Sequence, residues 1–121
     1  MKRITAGNIE LLVETREGGN DGGPSIQVLA TVEGREHQLL RFDCFRNRPH
    51  YHYDPMGRDE RYNVDATLID DSLGWVLGLL RTKLPSMVAR AGQPDLASSL
   101  DSKSVAAAID EAEAYFRVPA A

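Results

Sequence analysis

Alternation of apolar and polar positions dominates the first half of the chain. Ile9, Leu11 and Val13 alternate with Glu10, Leu12 and Glu14, and Ile26, Val28, Ala30 and Val32 repeat the rhythm. A period of two belongs to a half-buried strand, whose successive side chains point to opposite faces. Between these runs, Gly18-Gly19-Asn20-Asp21-Gly22-Gly23-Pro24 predicts a chain-reversing loop, since glycine adopts positive φ at no steric cost. It lacks the Gly-Lys-Ser/Thr ending of a phosphate cradle and leads into a strand, so it reads as a hairpin connection. Glu33-Gly34-Arg35 predicts a second tight turn. A third strand is expected from about His37 to Phe45, with Leu40, Phe42 and Cys44 on one face. After a turn at Arg46-Asn47-Arg48, a fourth strand follows from Pro49 to Asp54. A fifth runs from Arg61 to Leu68, with Tyr62, Val64, Ala66 and Leu68 on one side.

The period then changes. Leu73, Val76, Leu77, Leu80, Leu84, Met87, Val88 and Ala91 follow three-and-four spacing, the stripe of an amphipathic helix. Asp70, Asp71 and Ser72 are capping candidates, Gly92 suits a left-handed exit, and Pro85 predicts a kink or break. A last helix starts near Asp101 or Ser102 and turns Val105, Ile109, Ala112 and Phe116 inward. Trp75 is expected in the core, between helix and sheet. The fold class is α+β: one domain over residues 1–121, an antiparallel meander of about five strands packed on one face by two C-terminal helices.

At 121 residues the chain is long enough to bury a core, and 42% hydrophobic with 26% charged residues is ordinary globular composition. A formal charge of −4 counts against a broad nucleic-acid or anionic-membrane surface. Cys44 is the single cysteine, so no intrachain disulfide forms, and its apolar face makes it a buried hydrophobe rather than a nucleophile. Asn8 and Glu10 interrupt any signal-peptide apolar region, and Leu73 to Leu80 is far short of the roughly 18 apolar residues of a membrane span. A cytoplasmic protein with no membrane partner is expected.

The candidate chemistry lies between Arg41 and Asp54, which holds His50 and His52; His37 is a surface residue at a turn edge. Strand alternation puts His50, His52 and Asp54 on one face and Tyr51 and Tyr53 on the other. A hairpin turn of two or four residues then sets Asp43 opposite His50 and Arg41 opposite His52, while Phe42 meets Tyr51 and Leu40 meets Tyr53. An odd turn mixes polar with apolar on both faces. Pairing Tyr53 with Tyr62 adds Asn63 beside His52 and Asp65 beside His50. The expected patch, on the face away from the helices, has His50, His52, Arg41 and Asp43 as catalytic candidates and Asp54, Asn63 and Asp65 as ligand-binding candidates. Three readings are open for it. They are a metal site of His-x-His type, a metal-independent phosphodiester or phosphoryl site with Arg41 holding an oxyanion, and a hydrogen-bonded structural face. No second His/Cys pair lies at ligand spacing, so neither metal nor cofactor is expected.

The Arg-Phe-Asp…Pro-His-Tyr-His-Tyr-Asp-Pro stretch, with the Trp75-to-Ala91 helix after it, resembles an uncharacterised family of small bacterial proteins. That likeness brings no function with it. More distantly, Arg41-Phe42-Asp43 and Pro49-His50-x-His52 resemble the core motif of the TumE-like toxin family, small bacterial proteins paired with antitoxins. That resemblance implies a nucleic-acid-directed activity at Arg41, Asp43, His50 and His52. The leading expectation is a homodimeric binding or interaction domain that takes a small anionic ligand or RNA. The alternative is a ribonuclease-like enzyme of toxin type. Leu12, Leu29, Leu39 and Phe45, placed on the outer sheet face, are the basis for the expected homodimer.

Overall fold

Six antiparallel strands pair in chain order in the computed structural model, which describes residues 1–117; the last four residues of the expected domain lie outside the described residues. The strands are β1 (Lys2–Ala6), β2 (Ile9–Gly18), β3 (Asp21–Val32), β4 (Arg35–Asp43), β5 (His50–Tyr53) and β6 (Glu60–Asn63). Helices α1 (Ser72–Arg90), α2 (Pro94–Ser98) and α3 (Ser102–Phe116) follow. The class is α+β. Among the described residues, no helix is long and apolar enough to cross a membrane.

One cross-strand row shows how the core forms. Val13, Ile26, Phe42 and Tyr51 are successive partners across β2 to β5, and Tyr62 on β6 extends the row. The parallel row Ile4–Leu11–Val28–Leu40–Tyr53 lies beside it. Both rows join a single cluster with Val76, Leu77, Leu80, Leu84 and Val88 of α1 and Ala108, Ile109 and Ala112 of α3. Each aliphatic side chain moved from water into such a cluster contributes roughly 1.5–3 kcal/mol. Asp71 caps α1 by accepting from the Gly74 N–H at 2.9 Å.

Several expectations need correction. Lys2–Ala6 forms a strand of its own, because Ile4 and Ala6 alternate inward and Gly7-Asn8 closes a two-residue turn between Ala6 and Ile9. The glycine-rich segment is mostly strand. Only Gly19 and Asn20 turn, and Gly22, Gly23 and Pro24 pair within β3. The fifth expected strand stops at Asn63, since the Asp65 side chain accepts from the Thr67 N–H and hydroxyl and folds the chain into a turn, leaving Leu68 81% exposed. Helix α1 passes through Pro85 unbroken, as Leu84, Met87 and Val88 stay buried on either side of it. Trp75 is not core. It sits one position off the buried stripe, is 36% exposed, and only lays one side against Tyr51 at 6.1 Å between ring centroids.

The face away from the helices is not an open surface. Leu12, Leu29 and Leu39 are buried within the chain itself, so of the four side chains behind the expected homodimer only Phe45 stays partly open. Leu39 is the extra residue of a β-bulge opposite the Val28/Leu29 step, a feature that strengthens strand twist. Arg3 on β1 reaches Glu36 on β4 at 2.6 Å and Glu10 on β2 at 3.0 Å, bridging over two intervening strands. The sheet thus curls toward this outer face.

Two measurements check this packing. In urea unfolding, Trp75→Ala should cost clearly less than Leu80→Ala, for which a buried leucine predicts about 2–5 kcal/mol; a larger loss at Trp75 would put it back in the core. Gly23→Ala should destabilise strongly, because a Cβ there meets the Cys44 carbonyl oxygen at 2.5 Å and the backbone sits at φ +150°; an unchanged midpoint would contradict this close approach.

Candidate functional site

Two cross-strand rows on the outer face build the site. Glu14, Ser25, Asp43, His50 and Asn63 are successive partners in one, and Leu12, Gln27, Arg41, His52 and Arg61 in the other. Asp43 pairs with His50 and Arg41 with His52 as expected, but across a connection of six residues, 44–49, rather than two or four. Strand alternation sends Phe42, Tyr51 and Tyr53 to the helix side, where Phe42 and Tyr51 stack at 5.7 Å.

Asp43 is the centre. It is 2% exposed and accepts from the Ser25 hydroxyl at 3.0 Å and from Arg41 Nε at 3.1 Å. His50 Nε2 lies 3.0 Å from the same carboxylate and Arg16 Nη1 3.6 Å from it. Burial pushes the Asp43 carboxyl up, but the His50 hydrogen bond, the Arg41 charge and the Ser25 hydroxyl outweigh it and bring it down to about 2.

The two imidazoles meet different kinds of partner. His50 Nδ1 is 2.9 Å from the Arg48 carbonyl oxygen, and its Nε2 faces Asp43. Both partners are oxygen acceptors, so the ring bridges the turn and the buried carboxylate. His52 Nδ1 lies 2.7 Å from Asp59 Oδ1, while its Nε2 lies 3.1 Å from Arg41 Nη2. One partner accepts and the other donates, which defines a neutral ring protonated on Nδ1. Burial lowers the His52 pKa, the Arg41 charge acts the same way, and the Asp59 hydrogen bond opposes them.

Ligand atoms of Asp43, His50 and His52 lie within 4.8 Å of one another. The Arg41 guanidinium, however, is 3.1 Å from both Asp43 and His52, so it already supplies the positive charge that a metal ion would bring.

Other candidates fall elsewhere. Asp54 turns away from the histidines: at φ 48° it begins a turn, and its carboxylate accepts from the Arg58 N–H at 2.9 Å. Asn63 stands opposite His50, not His52, because β6 pairs two residues away from the expected register. Asp65 lies past the strand end, held by Thr67. Sequence reasoning missed Asp59, Ser25 and Arg16 as partners of the cluster, and Arg61 as the residue opposite His52. Ser25 meets Asp43 only because the bulge shifts the β3–β4 register by one residue, which no local pattern signals.

The network also holds the turn that follows β4. His50 grips the Arg48 carbonyl. The Asp21 carboxylate accepts from the N–H groups of Asn47 and Arg48 at 3.0 and 2.9 Å. The Pro49 carbonyl accepts from Val64 N at 2.9 Å, tying the turn to β6.

No curated protein and no solved structure matches the chain. A family model does, one described as a domain of unknown function, DUF7700, and it carries no link to the TumE-like toxins. It matches residues 3–115, nearly the whole sequence, so the chain belongs to the DUF7700 family.

Proposed function

We propose that the chain is a binding domain for a small anionic ligand, seated on the outer face of the sheet at its β5–β6 end. The observation that carries this reading is the state of the two histidines. His50 and His52 are at most 9% exposed, and each ring nitrogen meets a partner in the same chain. An imidazole acting on a phosphodiester needs a nitrogen within reach of the substrate proton. These have none to spare, so they act as supports, and Arg16, Arg48 and Arg61 around them supply the exposed positive charge. This favours binding without turnover over the ribonuclease-like alternative. One chain completes the site, so self-association is not required for it.

Replacing His50 or His52 with Gln should lower folding stability by about 1–3 kcal/mol, the cost of leaving buried polar partners unmet. Calorimetric titration should show wild-type protein binding inorganic phosphate, with affinity that falls as salt rises. Incubation with RNA should leave it intact. Cleavage that is lost in His52→Gln while the fold survives would instead establish the enzyme.

The lowered His52 pKa also sets a pH dependence. A histidine whose folded pKa lies below its unfolded value near 6.5 contributes stability that is present above that value and lost as pH falls through it. Urea midpoints measured at pH 7.5 and 5.5 should therefore fall on acidification, and by less in His52→Gln. Equal losses in the two proteins would assign the effect to another group.

A further inference from the structure

We propose that the cleft between the 46–49 turn and the end of β6 is a binding site for small phosphomonoesters, with Arg48 and Arg61 holding the phosphate. This rests on the anion-binding reading above and names its seat and ligand class.

Arginine pairing separates these two residues from the rest. Arg3, Arg16, Arg41, Arg46, Arg58, Arg81, Arg90 and Arg117 each have a carboxylate within 4.0 Å. Among the described residues Arg48 and Arg61 have no such ion pair, and both line the same cavity of about 400 Å³. Arg35, also without an ion pair, sits at the far hairpin turn between β3 and β4. A volume of that size is typical of small-molecule sites, which begin at roughly 300 Å³, and leaves room for an organic group beside a phosphate.

The walls are fixed before any ligand arrives. Asp21 and His50 hold the Arg48 backbone from both sides, N–H and carbonyl, and the Pro49–Val64 hydrogen bond closes the base. A rigid wall reduces the ordering cost that a binding loop otherwise charges against affinity. The Asp21 carboxylate accepts from backbone N–H groups and the Asp43 carboxylate from the buried network, and among the described residues neither forms an ion pair with Arg48 or Arg61.

The residue types select the ligand. A phosphomonoester dianion offers three terminal oxygens and close to two charges, against two oxygens and one charge in a carboxylate, so it is the better match for two guanidinium forks at once. Arg48 and Arg61 come from different segments, a turn and a strand, which suits an anion held between them. Asn63 adds an amide to the lining, and Pro49 and Val64 give an apolar floor for the organic part. Asp65 also lines the cleft. Its Oδ1 is taken by Thr67, which leaves Oδ2 as an acceptor for a ligand hydroxyl. Its charge partly offsets the two guanidiniums, and a terminal phosphate, with three oxygens open to both arginines, meets them better than the internal phosphodiesters of RNA, which expose two.

The test is titration calorimetry of the full chain with ribose 5-phosphate, inorganic phosphate, ribose and a short RNA oligonucleotide. The expected result is binding of ribose 5-phosphate, weaker binding of phosphate and none of ribose. Arg48→Gln and Arg61→Gln should each weaken ribose 5-phosphate at least tenfold with an unchanged urea midpoint, and Arg35→Gln should change nothing. Phosphate affinity untouched in both variants but lost in Arg16→Gln would overturn this seat while leaving the anion-binding reading in place. Equal affinity for phosphate and its ester, or tighter binding of RNA, would overturn the ligand class. No binding of any phosphate compound by the wild-type protein would overturn both.

Discussion

Asp43 holds a negative charge in the middle of a folded sheet, and a carboxylate in that position costs several kcal/mol unless it is paired and hydrogen-bonded. Its donors come from three neighbouring strands: Ser25 of β3, Arg41 of β4 and His50 of β5, with Arg16 of β2 standing slightly farther off. A slip of one residue in any of these pairings would turn Asp43 into the apolar layer and Phe42 out of it. The charge therefore penalises every wrong register. The hydrophobic rows decide which face is inside; the polar rows decide which residue stands beside which.

The same network links the sheet to its periphery. Arg41 connects Asp43 to His52, His52 reaches Asp59 in the turn before β6, and His50 reaches the Arg48 carbonyl in the turn after β4. Two connections that bracket β5 are thereby anchored to one buried centre. Both are places where a chain of this kind is otherwise least constrained. The positive φ of Asp59, 49°, is a conformation few residues other than glycine adopt readily, and its hydrogen bond to His52 helps offset that strain.

Legibility in the sequence follows from what parity can and cannot decide. Alternation distinguishes even from odd turns, so across β4–β5 it puts Phe42, Tyr51, Leu40 and Tyr53 on one face. It does not distinguish a register from one displaced by two, because both keep every side chain on its face. This is why Asn63 arrives beside His50 rather than His52. Asp59 sits in a turn, where no periodicity operates, and only the fold brings it to His52. Trp75 misled through size: a large aromatic invites burial, but the stripe of Leu73, Val76, Leu77 and Leu80 passes beside it. The curl of the sheet, which buries Leu12 and Leu29 without a helix to cover them, depends on the bulge at Leu39 and on Arg3 reaching across strands. Neither is written in any local run of residues.

The brevity of β6 has a consequence for the life of the chain before it is fully folded. An open sheet ends in strands whose unpaired N–H and C=O groups can recruit a strand from another molecule. Here one border is only Glu60–Asn63, flanked by the turn at Asp59 and the turn at Asp65, and it carries both Glu60 and Arg61. So short and charged a border offers an incoming strand few backbone partners before the chain bends away. The early stop that removed residues 64–68 from the expected strand thus also protects the protein from edge-to-edge aggregation at the concentrations reached during synthesis.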